Sequence, residues 1–257
     1  MISELTVPMI EISSLTKRYG DGQIILDSVN LTISKGEFVT LIGPSGCGKS
    51  TMLKLISGLA MPTSGTITVD GLTPKNAREI ISFIFQDATL LPWRTVAQNV
   101  GLGLELEGVG KVPRDEKTSQ LIELVGLQHM ANAYPRELSG GMKMRVSIAR
   151  ALASNPRLLL MDEPFAALDE MSRDRLNEEL LRLRAEQNWT AVFVTHSVTE
   201  AVFLSTRIVV LAPNPGRVHA SLPVNLPAAR TADLRDTPEF EALIMQASHA
   251  LRTALIQ

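Results

Sequence analysis

Short apolar or alternating runs open the chain at Ile10–Leu15, Ile24–Ile33, Phe38–Ile42 and Thr66–Val69, punctuated by Gly20-Asp21-Gly22 and by Gly71. Runs of this length between turn formers predict strands. Phe38–Ile42 is apolar apart from Thr40, as expected of a parallel strand buried on both faces. It leads into a glycine-rich loop and then Lys49–Ser57, a predicted helix stopped by Gly58. From about Asp87 to Asn155 the pattern becomes helical. Leu121, Ile122, Leu124 and Val125 recur at helical spacing, as do Met144, Ile148 and Leu152. Pro156 closes this stretch because proline cannot continue the hydrogen-bond ladder. Strand signals return at Leu158–Met161, Ala191–Val194 and Ile208–Leu211. Between the first two, Met171–Gln187 predicts a helix with Leu176, Leu180 and Leu183 on one face and a Glu178–Arg182 pair at i,i+4. This alternation predicts a parallel sheet covered by helices. After Pro213-Asn214-Pro215-Gly216 comes a tail. Its final helix is predicted to start with Thr237 as N-cap and Pro238 in the first position, with Phe240, Leu243, Ile244, Ala247 and Leu251 on one face.

Composition narrows the class. The 257 residues are 45% hydrophobic, which suffices for one large α/β domain or two small ones without metals or disulfides. A net charge of -2, with acids and bases mixed along the chain, leaves no basic stripe and argues against nucleic acid as a partner. The single cysteine, Cys47, allows no internal disulfide and fits a reducing compartment. The N-terminus, with Glu4 and Pro8, does not read as a secretory signal. No apolar run approaches the roughly 20 residues that span a bilayer. Work at a membrane therefore calls for another chain as anchor.

The chemistry begins at Gly43-Pro44-Ser45-Gly46-Cys47-Gly48-Lys49-Ser50, which matches G-x-x-x-x-G-K-[ST] between a buried strand and a helix. Glycines let backbone N–H groups turn inward around phosphate oxygens, and the helix N-terminus adds partial positive charge. Lys49 is expected at the β- and γ-phosphates and Ser50 on Mg²⁺. Thr51 completes the nucleotide-binding stretch. No histidine neighbours Cys47 in the sequence, so it reads as a small loop residue and not a nucleophile.

Leu158–Met161 delivers Asp162 and Glu163 at its tip. Successive strand residues point to opposite sides, so the two carboxylates are free to do different work. Asp162 is expected to hold Mg²⁺, and Glu163 to polarise the attacking water. His196 follows the apolar run Ala191–Val194 at its C-terminal end, the edge where open α/β sheets bind ligands; a γ-phosphate contact is expected there. His129, His219 and His249 have no such placement.

These residues resemble the ATP-binding cassette (ABC) family. Leu138-Ser139-Gly140-Gly141-Met142 is similar to its signature motif, with Met142 where glutamine is commoner. Tyr19 is similar to the aromatic that stacks on adenine, Gln86 to the glutamine loop, and Ala167-Leu168-Asp169 to the loop that crosses to the partner subunit. The similarity runs from about residue 9 to 212. The resemblance implies an α/β fold: a P-loop NTPase (RecA-like) core with an N-terminal antiparallel β region and a helical insertion subdomain. The whole chain, 1–257, then forms one domain. Its core comprises 1–86 and 156–212, its helical part 87–155, and its C-terminal extension 213–257. The resemblance implies ATP and Mg²⁺ as ligands. Lys49, Gln86, Glu163 and His196 are implied as catalytic residues, with Ser50, Gln86 and Asp162 around the metal. Ser139, Gly140, Gly141 and Asp169 are implied to contact nucleotide from a second copy, in a head-to-tail dimer that sandwiches ATP.

Leu90–Val100, Thr195–Val202, Pro215–Val218 and Asp233–Phe240 are similar to the nitrate/sulfonate/taurine import branch. That implies an ATPase coupled to uptake of a small solute. Its partners would be membrane permease subunits and, indirectly, a solute-binding protein, at the cytoplasmic face of a bacterial inner membrane. An exporter cassette and a soluble ABC-type ATPase acting on nucleic acid are the alternatives. Leu90, Leu91, Pro92 and Trp93 are either a docking patch for the permease or core of the helical insertion.

Overall fold

The computed structural model describes residues 7–20, 22–166, 168–187 and 189–256. In chain order the strands and helices are β1 (Ile10–Arg18), β2 (Ile24–Ile33), β3 (Phe38–Ile42), α1 (Lys49–Ile56), β4 (Ser64–Val69) and β5 (Ile81–Ile84). The insertion follows with α2 (Val96–Val100), α3 (Leu102–Leu106), α4 (Lys111–Leu124) and α5 (Gly140–Ala153). Then come β6 (Leu158–Asp162), α6 (Glu170–Gln187), β7 (Thr190–Val194), α7 (Val198–Leu204), β8 (Arg207–Ala212), β9 (Arg217–Pro223) and α8 (Pro238–Ala254). Asp21, predicted in the first turn, lies outside the described residues, as does Ala167.

Two sheets organise the molecule. One is antiparallel, in the order β2-β1-β4; the other runs β5-β6-β7-β3-β8-β9 and is parallel except for β9, which pairs antiparallel with β8. The period-2 geometry of strands divides the large sheet between two cores. Phe38 and Ile42 of β3, Leu159 and Met161 of β6, and Ala191 and Phe193 of β7 face the helical layer. Val39 and Leu41, Leu158 and Leu160, and Val192 and Val194 face α1 and the antiparallel sheet. These strands are apolar throughout because both faces are covered.

Three elements go beyond the sequence reading. β5, α7 and β9 are short, and their patterns do not distinguish a strand from a buried helix. The predicted Glu178–Arg182 pair is not made. Arg182 lies 2.8 Å from Glu179 and 3.9 Å from Glu186, and Glu178 and Arg182 both line a groove against Ala228, Ala229 and Arg230 of the tail. Helix neighbours at i,i+3 are as close as those at i,i+4, so Glu179 is as available to Arg182 as Glu178 is. The apolar patch divides: Leu90 packs against the helical core, whereas Trp93 is 70% exposed. Buried Asn99 fixes the loop that presents Trp93. Its Oδ1 accepts from Leu91 N–H at 2.8 Å, and its Nδ2 donates to the carbonyls of Leu91, Arg94 and Thr95.

Candidate nucleotide site

The phosphate loop leaves β3 at Ile42 and enters α1 at Lys49. Gly48, the residue before the helix, has φ 99, a left-handed conformation that side chains disfavour. Lys49 is buried, and its Nζ donates to the carbonyls of Gly43 at 2.8 Å and Pro44 at 2.9 Å. Those bonds hold the ammonium over the loop. Cys47 turns its thiol into the core, where burial pushes its pKa up. It contributes backbone, not a nucleophile.

Ser50 opens α1, and its hydroxyl donates to Asp162 Oδ1 at 2.8 Å. Burial raises the Asp162 pKa, opposed by the Ser50 hydrogen bond. A half-desolvated carboxylate beside a hydroxyl offers oxygen donors only, the set that suits a hard cation such as Mg²⁺. The next residue points elsewhere. Glu163 has φ 49, strained for a non-glycine residue, and its N–H donates to the Val194 carbonyl at 3.0 Å. This turns its carboxylate toward the end of β7, where His196 Nε2 lies 2.6 Å from Glu163 Oε1. The two carboxylates therefore serve separate partners, as their adjacent positions suggested.

A groove of about 330 Å³ joins Ser45, Gly46, Gly48, Lys49, Ser50 and Thr51 of the loop to Glu163 and His196. Tyr19, half-exposed just past β1, lines the same groove, with Lys17 Nζ 4.6 Å from its ring centroid. Gln86 is exposed beyond β5 and is not among the residues lining this groove. Ser139, Gly140, Gly141 and Asp169 are elsewhere, around a second groove of about 490 Å³. There Ser139 caps α5, its hydroxyl accepting from Met142 N–H at 3.3 Å. Asp169 accepts from Ser172 N–H at 2.9 Å, and the Ser172 side chain and N–H together hold its carboxyl below the usual range. Two half-sites on one chain suit a ligand shared between two copies.

Residues missed by sequence reasoning surround these grooves. Arg145 and His129 line the second. Arg173, Thr195 and Glu200 join His196 around a cavity of about 230 Å³. The sequence signal for Thr195 and Glu200 is their place in the Thr195–Val202 string; Arg145, His129 and Arg173 carry none of their own.

Residues 26–166 match the ABC transporter family. The chain is 44% identical over 235 residues to the nitrate import ATP-binding protein NrtD of Synechocystis, covering 89% of this chain and 88% of that protein. It is 42% identical over 240 residues to the taurine import ATP-binding protein TauB of Escherichia coli O157:H7, covering 91% and 94%. Among solved structures, the ATP-binding cassette MJ0796, a dimer in a post-hydrolysis state bound to ADP and Pi, superposes with a TM-score of 0.78. It is 36% identical, with 85% of this chain and all of that one covered. The chain belongs to the ABC transporter family, as an ATP-binding subunit with ATPase activity.

Proposed function

We propose that this chain powers an importer for a small solute, with nitrate, sulfonates and taurine as the leading class. One observation carries the reading of the site: the Ser50–Asp162 and Glu163–His196 pairs meet at the phosphate-loop groove. Loop N–H groups and Lys49 hold the β- and γ-phosphates, and Tyr19 stacks on the adenine. Ser50 and Asp162 hold Mg²⁺, which when bound neutralises charge on the phosphate oxygens. Glu163 orients a water for in-line attack on the γ-phosphorus and takes its proton; the bond to the bridging oxygen breaks and ADP departs. His196 fixes the Glu163 carboxylate and reaches the γ-phosphate. Gln86, which the family resemblance implies as a further metal donor, would offer its amide oxygen to the ion.

Closure requires a second copy. Ser139 and the Gly140 and Gly141 amides, opening the 14-residue helix α5, form the anion site that covers ATP held by the partner. Asp169 sits on the same face. Contacts made only in the closed dimer must supply about 5.5 kcal/mol to swing a two-state equilibrium from 1:99 to 99:1. The exposed Trp93, on its Asn99-fixed loop, meets the permease. Among the described residues no helix is long and apolar enough to cross a membrane, so the permease supplies the anchor at the cytoplasmic face. The import direction rests on the two import relatives and on the Leu90–Val100 and Pro215–Val218 strings. The test is to recover tagged Glu163→Gln from native membranes with ATP. A multi-span permease encoded beside a binding protein that responds to nitrate or taurine in thermal shift supports the proposal. A permease without a binding protein points to an exporter, and ribosomal or DNA-bound partners alone overturn the transporter reading.

A further inference from the structure

Glu200 is a buried carboxylate for which the chemistry above has no use. It sits on the first turn of α7 and is 5% exposed. The Thr195 hydroxyl donates to Glu200 Oε2. The same hydroxyl accepts from Ser197 N–H at 3.0 Å, and Glu200 N–H donates to Ser197 Oγ at 3.2 Å. Thr195, before His196, is thus tied to the carboxylate itself, and Ser197, after it, to the Thr195 hydroxyl and the Glu200 backbone. On its other oxygen, Oε1, Glu200 faces Arg173 Nε at 3.2 Å, an ion pair without hydrogen-bond alignment. Arg173 in turn donates from its NH2 group to the Leu168 carbonyl at 3.1 Å.

Leu168 belongs to the other half-site. It lines the second groove with Ser139 and Asp169, and packs so close to Gly141 that a Cβ there would lie 2.9 Å from its Cδ2. One connected path therefore runs from Gly141 through Leu168, Arg173, Glu200 and Thr195 to His196 and Glu163. It starts at the surface that covers the partner's nucleotide and ends at the groups around the chain's own. Burying a carboxylate carries a desolvation cost that a purely structural tie would not need. Coupling between sites travels through such contiguous packed and hydrogen-bonded groups when the element they hold has two arrangements.

We propose that the Arg173–Glu200 pair is a positioning link that sets the His196 loop according to the placement of the Leu168–Asp169 loop. It acts through Thr195 and never touches ATP. Occupancy of the second groove by the partner's nucleotide then registers at His196, which makes hydrolysis cooperative between the two sites of the dimer. This long-range half rests on the sandwich reading given above.

The test uses the full chain, with steady-state hydrolysis and separate ATP-binding measurements on Thr195→Val, Glu200→Gln, their double variant and Arg173→Met. A misplacement of order 1 Å in a catalytic group costs about a hundredfold, so kcat is expected to fall about ten- to a hundredfold in each single variant. KM and ATP affinity should stay within about twofold, because the phosphate loop is untouched. The Thr195→Val/Glu200→Gln double variant should fall no further than the weaker single, since both interrupt one path: valine removes the hydroxyl bond, and glutamine the charge that faces Arg173. Arg173→Met, on a side chain that is partly exposed and so tolerant of change, should also bring the Hill coefficient of hydrolysis toward one. Losses in melting temperature and ATP affinity with kcat preserved would show a merely structural tie and overturn the proposal. A wild-type Hill coefficient in Arg173→Met, while Glu163→Gln still dimerises with ATP, overturns the link alone. A Glu163→Gln chain that stays monomeric with ATP overturns the sandwich and the cooperative half with it, leaving the kcat result to decide the local half.

Discussion

Replacing Gly216 by alanine tests how the phosphate loop is held. Gly216 lies in the turn between β8 and β9, far from the loop in sequence, yet its backbone is pressed against it. Its N–H donates to the Ile25 carbonyl at 2.8 Å, and its own carbonyl accepts from Asp27 N–H at 3.0 Å. A Cβ at this position would stand 2.1 Å from the Cys47 carbonyl oxygen and 2.8 Å from that of Ile25. Ordinary contact begins near 3.4 Å, so against 2.1 Å the methyl needs about 1.3 Å of movement. Backbone lies on both sides, so no side-chain rotation relieves it. Cys47 sits inside the phosphate loop, and a shift of that size takes its neighbouring N–H groups out of hydrogen-bond range. Hydrogen bonds to charged groups contribute about 1.5–3 kcal/mol each, and losing one weakens ATP binding by about ten- to a hundredfold. The overpacked turn should cost a further ~1–3 kcal/mol of stability. Calorimetry with ATP reads the first effect and thermal melting the second. Arg217→Ala is the control. It removes the ion pair to Asp27 at 2.6 Å from the same turn but adds no bulk, and should leave ATP affinity within about twofold. Wild-type ATP affinity in a folded Gly216→Ala chain would refute the claim that this turn supports the loop.

Two further outcomes follow from the same geometry. Asp162→Asn should abolish Mg²⁺-dependent hydrolysis yet stabilise the nucleotide-free chain at neutral pH. Burial raises the Asp162 pKa above 3.8, so the native state holds its proton more tightly than the unfolded chain, and stability falls as pH rises through that window. The melting advantage of the variant should therefore be full above the raised native value and vanish as pH drops below 3.8. Trp93→Ala should release the chain from permease-containing membranes, with affinity lower by about thirtyfold or more, as for a buried aromatic anchor; co-sedimentation measures it.

The parts of the site that the sequence disclosed are those in which a few consecutive residues carry the chemistry. The strand–loop–helix from Phe38 to Ile56 is read from its own pattern, and Asp162, Glu163 and His196 from their places at strand ends. That Asp162 and Glu163 have separate partners is anticipated by strand alternation, but what turns Glu163 to His196 is its left-handed backbone just past the end of β6, which the sequence does not display. What was hidden depends on distant segments meeting. Gly216 against Cys47 and Arg173 against Glu200 are fixed by tertiary packing, and no spacing rule reaches them. α7 is hidden for a different reason: Val198–Leu204 is only seven residues long, so periodicity has too few positions to work with. The phosphate loop's match to its motif was complete, yet its support by the β8–β9 turn was visible only in three dimensions.

The most direct test of the account is ATP turnover by Glu163→Gln. The variant keeps the shape of the side chain, the loop and the Ser50–Asp162 pair, and removes only the carboxylate that faces His196. The account predicts ATP binding near wild type, accumulation of an ATP-bound dimer by size-exclusion chromatography, and hydrolysis reduced by about a hundredfold or more. Turnover close to wild type in that variant would contradict the assignment of Glu163 as the group that activates water.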